Sequence, residues 1–280
     1  MTANITATTD STDRADSTDR ADRADSTDST ETSPWIRRYT PADGAPARLL
    51  CLPHAGGSAS FYLPFSRSLA PDVDVLTVQY PGRQDRRNEP CVDSVTGLAD
   101  ALVDEVLPWA DRPLAIFGHS MGAMVAFELA RRLERRGTRP LVVFASGRRA
   151  PSRLREDSDP VHLRDEQGLI AELRALSGTD ARVLEDEDLL RMALPAIRGD
   201  YKAAETYRYV AGPPLAAPVH AHVGVDDPKA TLDEVRAWAT HTEGGFEMHT
   251  HPGGHFYLTD RMPNVAAAVT RQISALLKPL

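Results

Sequence analysis

The sequence predicts an α/β fold: a mostly parallel central sheet flanked by helices, with an all-helical segment inserted between two of its strands. Three observations carry this. Short apolar runs alternate with amphipathic stretches from residue 35 onward, a glycine-flanked serine sits where one such run turns into a helix, and residues 160–209 show helical periodicity with no strand-like run. Strands covered on both faces read as near-continuous apolar segments, and connections of helical length between them suit crossovers rather than hairpins.

The elements follow in order. Residues 1–34 repeat Ser-Thr-Asp-Arg-Ala-Asp at 11–16 and 17–22 and carry seven Asp and one Glu against three Arg. With almost no large apolar side chain, this segment has nothing to offset the entropy of ordering and reads as a disordered acidic tail, the folded body starting near Trp35. It holds most of the net charge of −8, so the body is close to neutral. Strand-like runs then fall at Ala47–Pro53, Val73–Gln79, Leu114–Gly118, Leu141–Ser146, Val219–Val223 and Phe246–Thr250. Helical patterns lie at Val95–Trp109, Met121–Arg136, Leu232–His241 and Asn264–Leu277. Within 160–209 a first helical pattern uses Leu163, Leu169, Ile170, Leu173 and Leu176, and Pro195 is expected to kink or divide the second. A helical insertion at this place reads as a lid over the strand ends.

Composition removes several functions. At 41% apolar and 26% charged residues the chain is an ordinary globular mix. Cys51 and Cys91 stand alone, without a CxxC spacing, which argues against a disulfide framework or a cysteine-rich zinc site and suits a reducing cytoplasm. No run approaches the roughly 20 apolar residues of a membrane span, the N-terminus lacks a signal-peptide pattern, and no basic stripe interleaved with aromatics suggests nucleic acid.

The strongest local signal is Gly118-His119-Ser120-Met121-Gly122, between the run Leu114–Phe117 and the helical pattern that follows. G-x-S-x-G in strand–turn–helix context is the nucleophile elbow of α/β-hydrolases, a turn so sharp that side chains at the glycine positions would strike backbone. A serine nucleophile needs a base, and the base a carboxylate, in the chain order Ser, Asp, His. Among nine histidines, His255 stands in Pro252-Gly253-Gly254-His255-Phe256, a loop directly after a strand, where that base belongs. His249 and His251 mimic a metal pair but lack a third ligand of suitable spacing, so no metal and no cofactor are expected. For the carboxylate, Val223-Gly224-Val225-Asp226-Asp227-Pro228 offers Asp227, with Asp226 as its rival. The oxyanion needs two backbone donors. The Met121 amide supplies one, and the Ala55 amide in Leu52-Pro53-His54-Ala55-Gly56-Gly57 is the choice for the other.

Together, Leu-Pro-His-Ala-Gly-Gly-Ser-Ala-Ser at 52–60, Tyr-Pro-Gly-Arg at 80–83, Gly-His-Ser-Met-Gly at 118–122 and Pro-Gly-Gly-His-Phe at 252–256 resemble type II thioesterases, the free-standing editing hydrolases of modular polyketide and nonribosomal peptide pathways. The likeness runs from about residue 35 to the C-terminus. It implies Ser120, Asp227 and His255 as a triad, the Ala55 and Met121 amides as an oxyanion hole, a helical lid, and hydrolysis of acyl groups from the phosphopantetheine arm of acyl or peptidyl carrier proteins. The Gly-Val-Asp-Asp-Pro segment departs from the more polar start of the family's Asp loop. A carboxylesterase or lipase, or a silent scaffold that binds carriers through its lid, are the competing readings. Arginine-rich loops follow two strands, Arg83, Arg86 and Arg87 in one and Arg148, Arg149, Arg153 and Arg155 in the other. Both loops leave the carboxyl edge of a parallel sheet, so Arg83, Arg148 and Arg149 are expected to dock the carrier.

Overall fold

The computed structural model describes residues 33–155, 159–176 and 186–278. The tail expectation for residues 1–32 lies outside the described residues, as does the stretch 177–185 of the expected lid. Seven strands form one sheet in the order β1-β3-β2-β4-β5-β6-β7. They are β1 Ile36–Arg37, β2 Arg48–Leu52, β3 Asp74–Val78, β4 Leu114–His119, β5 Val143–Ser146, β6 Val219–Gly224 and β7 Phe246–His251. All neighbours pair in parallel except β1, which adds an antiparallel edge to β3 with Ile36 opposite Val78. A strand of two residues has no readable alternation, which is why β1 escapes sequence analysis.

The helices are α1 Leu63–Leu69, α2 Val95–Val106, α3 Met121–Arg135, α4 Glu166–Leu176, α5 Glu187–Thr206, α6 Leu232–Arg236, α7 Tyr257–Asp260 and α8 Met262–Leu276. They cover both faces. One core joins Leu50, Leu52, Ile116 and Val143 to α2 and α3 through Leu98, Leu102, Val125 and Leu129. The other joins Leu49, Cys51, Phe117 and Phe144 to α1 and α8 through Phe65, Val265, Val269 and Ile273. The alternation Leu49/Leu50 and Ile116/Phe117 splits each strand between the two cores, as a doubly covered sheet requires.

A third, smaller cluster holds the inserted helices together: Val161, Leu169, Leu173, Leu190, Leu194 and Ile197. One expectation needs correction here, and two others become sharper. Leu163 is not on the first lid helix but in a 3₁₀ turn, Val161–Leu163, and is 72% exposed. Pro195 does not divide the second helix, because α5 runs through it. The proline lies on the exposed side of the helix, next to the buried Leu194 and Ala196, so the Arg191 carbonyl it leaves unpaired is on the solvent side. The body begins before Trp35: the Ser33 hydroxyl donates to Glu105 and accepts from the Trp35 N–H.

Among the described residues no helix is long and apolar enough to cross a membrane. Both cysteines are free, Cys51 buried and Cys91 half-buried.

Candidate active site

β4 ends at His119 and α3 begins at Met121, so one residue makes the turn. That residue, Ser120, has φ 54° and ψ −115°, a conformation that costs a side-chain-bearing residue on the order of 1–3 kcal/mol. Its N–H donates to the Ser146 carbonyl of β5 at 2.8 Å, which anchors the turn to the neighbouring strand. The flanking glycines are required by contact. A Cβ on Gly118 would lie 2.1 Å from the Gly122 carbonyl oxygen, and one on Gly122 would lie 2.2 Å from that of Leu52.

The turn delivers the Ser120 hydroxyl to His255, whose Nε2 lies 2.9 Å from Oγ. On the far side of the ring, Nδ1 lies 3.0 and 2.9 Å from the two carboxylate oxygens of Asp227. Asp227 also accepts from the Lys229 N–H at 2.8 Å, which fixes its plane. The rival Asp226 is exposed and engages the His255 loop only through its backbone, donating its N–H to the Gly253 carbonyl. The structure therefore brings Ser120, His255 and Asp227 into one hydrogen-bonded line and leaves the Asp226 side chain outside it. The His255 and Asp227 side chains are buried, at 4% and 0% exposure, so a charge on either would be screened little by solvent.

His119 lies beneath this line. It is fully buried, its ring centroid 5.3 Å from that of His255, and burial, then the neighbouring His255 and His54, hold its pKa well below the ordinary imidazole value. It stays neutral, with Nδ1 2.9 Å from the Ser146 hydroxyl, which in turn lies 2.6 Å from the Tyr257 hydroxyl. A second cation beneath the imidazolium is thus avoided.

Ala55 lies in the loop after β2. Two other amides of that loop are engaged: Gly57 donates to the His54 carbonyl at 2.9 Å and Gly56 to Asp200 at 2.8 Å. Met121 opens α3, where an N–H has no acceptor within the helix.

Asp200 was not visible as a site residue in the sequence. It sits on α5, fully buried, and its carboxylate also receives Arg83 through two nitrogens, at 2.6 and 2.9 Å. Arg83 donates in addition to the Gly57 carbonyl at 3.0 Å. One lid carboxylate and one loop arginine therefore clamp the segment that carries Ala55. This corrects the docking expectation for Arg83: its guanidinium is turned inward to a buried partner and presents no charge to a protein outside. Arg86, from the same loop, is likewise buried, over the Trp35 ring and bonded to Glu89. Arg148 and Arg149 are half-buried at the sheet edge, donating to the carbonyls of Ala204, and of Arg153 and Lys229. The signal for Asp200 was present but small. Ala196, Ile197, Asp200 and Ala203 share the buried phase of α5, and a carboxylate in an apolar phase demands a partner.

The parallel sheet, the elbow and the line at its carboxyl edge define an α/β hydrolase. The Thioesterase domain family model matches residues 47–273, and the chain belongs to that family. It is 55% identical over 229 residues to the thioesterase PikA5 of Streptomyces venezuelae, covering 81% of each chain. It is 50% identical over 245 residues to the probable cadicidin biosynthesis thioesterase of Streptomyces griseus, covering 88% of this chain but only 66% of that protein's length. Among solved structures it resembles the type II thioesterase BorB from the borrelidin biosynthetic cluster, with a TM-score of 0.81, 51% identity, and coverage of 85% of this chain and 97% of that one.

Proposed function

We propose that this hydrolase removes acyl groups from the phosphopantetheine arm of acyl or peptidyl carrier proteins, through an acyl-Ser120 intermediate. The observation that carries the reading is the Ser120–His255–Asp227 line, lying beside a helical lid in a chain so similar to PikA5. His255 Nε2 takes the serine proton as Oγ attacks the thioester carbonyl, and Asp227 orients the ring and stabilises the imidazolium. The Ala55 and Met121 amides receive the oxyanion. Collapse expels the pantetheine sulfur, and the imidazolium returns its proton to it. Water then attacks the acyl carbonyl as His255 accepts its proton, and a second collapse breaks the ester bond to Oγ, which takes the proton back from His255, freeing the acid and restoring Ser120. BorB comes from the borrelidin biosynthetic cluster; a corresponding role here is to clear stalled or mischarged carriers of a secondary-metabolite pathway in the cytoplasm. Arg148 and Arg149, beside the strand ends, are the proposed carrier contacts.

The test compares one acyl group presented on a carrier protein, on free pantetheine and as an oxygen ester. The carrier thioester is expected to turn over fastest and to lose rate with added salt, since exposed charge contacts are screened over about 10 Å at 0.1 M. A trapped acyl-enzyme is expected on Ser120. Faster turnover of the oxygen ester would make the protein a carboxylesterase, and no labelling of Ser120 by a serine-directed phosphonate would make it a non-catalytic carrier binder.

A further inference from the structure

The amino-terminal ends of β6 and β7 lie at the sheet edge opposite the catalytic line, and they carry an unusual set of side chains. Strand alternation puts His220 and His222 of β6 and Glu247, His249 and His251 of β7 on one face. Parallel register sets His220 opposite Glu247 and His222 opposite His249. His222 and His251 are occupied with each other, Nδ1 to Nε2 at 3.0 Å, and His251 stacks on Tyr257. The other three converge. One ligand atom from each of His220, Glu247 and His249 lies within 4.8 Å of the other two. Glu247 Oε2 is already 3.1 Å from His249 Nε2.

Two further observations mark this as a place for a ligand. His220 is 6% exposed, yet its Nδ1 is buried without a hydrogen-bond partner among the described residues. Such an atom is normally paired, so an orphan here asks for one. A groove of about 300 Å³ opens over the same three side chains, with Arg271 and Gln272 of α8 on its wall. Gln272 Nε2 lies 2.6 Å from His249 Nε2, a bond that an incoming ligand would displace.

We propose that His220, Glu247 and His249 bind one late transition-metal ion, zinc being the natural occupant, with water completing a tetrahedron. At bond lengths of about 2.1 Å, tetrahedral ligand atoms stand about 3.4 Å apart. The set therefore has to close by little more than 1 Å, which the half-exposed Glu247 and His249 side chains can provide by rotation. Two imidazoles and a single carboxylate favour zinc, copper or nickel over the hard cations magnesium and calcium. The ion would pin the edge strand β7 to β6, just upstream of the loop that holds His255. It takes no part in hydrolysis, so this proposal and the catalytic one stand or fall separately.

Metal-free protein without a histidine tag, titrated calorimetrically with Zn²⁺ and with Mg²⁺, tests this. One Zn²⁺ per chain is expected with micromolar or tighter affinity, together with a rise in Tm, and no response to Mg²⁺. His249→Ala and Glu247→Gln should each weaken zinc about tenfold or more, while the metal-free variants keep the wild-type Tm and thioester turnover. His255→Ala should bind zinc as the wild type does. Absence of stoichiometric binding, binding untouched by His249→Ala, or binding lost in His255→Ala would each overturn the site.

Discussion

The β4–α3 elbow and the α4–α5 insertion wall the same site, but they are held by different forces. Eleven of the fifteen residues of α3 are buried, so the helix behind Ser120 is packed on nearly every side and can sustain a strained turn at its start. Of α4, by contrast, only Leu169 and Leu173 are fully buried. Leu163, Leu189 and Met192 in the insertion stay 72%, 47% and 61% exposed. What ties the insertion down is largely polar. Among the described residues, Asp200 holds Gly56 and Arg83, Lys202 donates to Asp93, Tyr207 donates to Glu128, and Glu172 accepts from Lys229. The geometry of the elbow is thus fixed by close packing, whereas the insertion is fixed by a few directional bonds over a small core. Segments with few buried apolar contacts open at the lowest free energy, which is what the proposed lid role would require.

The largest effects should come from the packed side. Ser120→Ala is expected to lower turnover of an acyl-pantetheine thioester on the order of 10⁴- to 10⁶-fold, with Tm nearly unchanged. Asp227→Asn should cost about 10⁴-fold, because the wrong His255 tautomer is then favoured; Asp226→Asn should stay within about threefold. Steady-state rates on purified variants rank the pair, and the reverse order would move the carboxylate role to Asp226.

Asp200 lies where the two regions meet, so it tests whether they are coupled. Asp200→Asn leaves the Arg83 guanidinium buried without its counter-charge, and breaking a buried pair in this way costs about 3–5 kcal/mol. If the clamp also positions the Ala55 amide, kcat should fall about 10- to 100-fold with KM little changed. A loss of Tm with kcat intact would show that Asp200 only fastens the lid.

A smaller, regional effect separates the two kinds of packing. Leu129→Ala in α3 should destabilise the whole domain by about 2–5 kcal/mol, read as a lower denaturation midpoint. Leu173→Ala should instead act locally, accelerating hydrogen exchange of the α4 amides about tenfold or more while α3 exchange stays as it was. Uniform acceleration throughout the domain would mean that lid and body unfold as one unit.

The same contrast explains what could be read from the sequence. Six of the seven strands, the elbow and the order Ser, Asp, His were legible because each rests on local rules: apolar runs, a turn that admits only glycine, a loop after a strand. The choice of Asp227 over Asp226 was a matter of one residue of phase, and it is the Asp227 carboxylate that lies 2.9 and 3.0 Å from His255 Nδ1. Asp200, the inward turn of Arg83 and the convergence of His220 with Glu247 and His249 were not legible, since each joins residues distant along the chain or on separate strands. Chain spacing pairs His249 with His251; register gives it His220 and Glu247 instead.

The smallest expected effect concerns where the packed body starts. Residues 1–32 carry almost no large apolar side chain and so have little with which to dock. Deleting residues 2–32 should leave thioester turnover unchanged and shift Tm by less than about 1 °C. Two residues further on the balance changes. Ser33 donates to Glu105 on α2 at 2.5 Å and accepts from the Trp35 N–H at 3.0 Å, and its carbonyl accepts from Ile36 and Arg37. These bonds seat Trp35 beneath the Arg86 guanidinium and lead directly into β1. Each is worth about 0.5–1.5 kcal/mol net, and in a domain of this size 1 kcal/mol moves Tm by roughly 2–4 °C. A deletion extended through Pro34 should therefore melt several degrees lower than the shorter one, with turnover at moderate temperature still unchanged because β1 is an edge strand separated from the central β4 by β3 and β2. Equal melting temperatures for the two deletions would put the start of the body at Trp35; a drop already at residue 32 would show that the acidic segment packs.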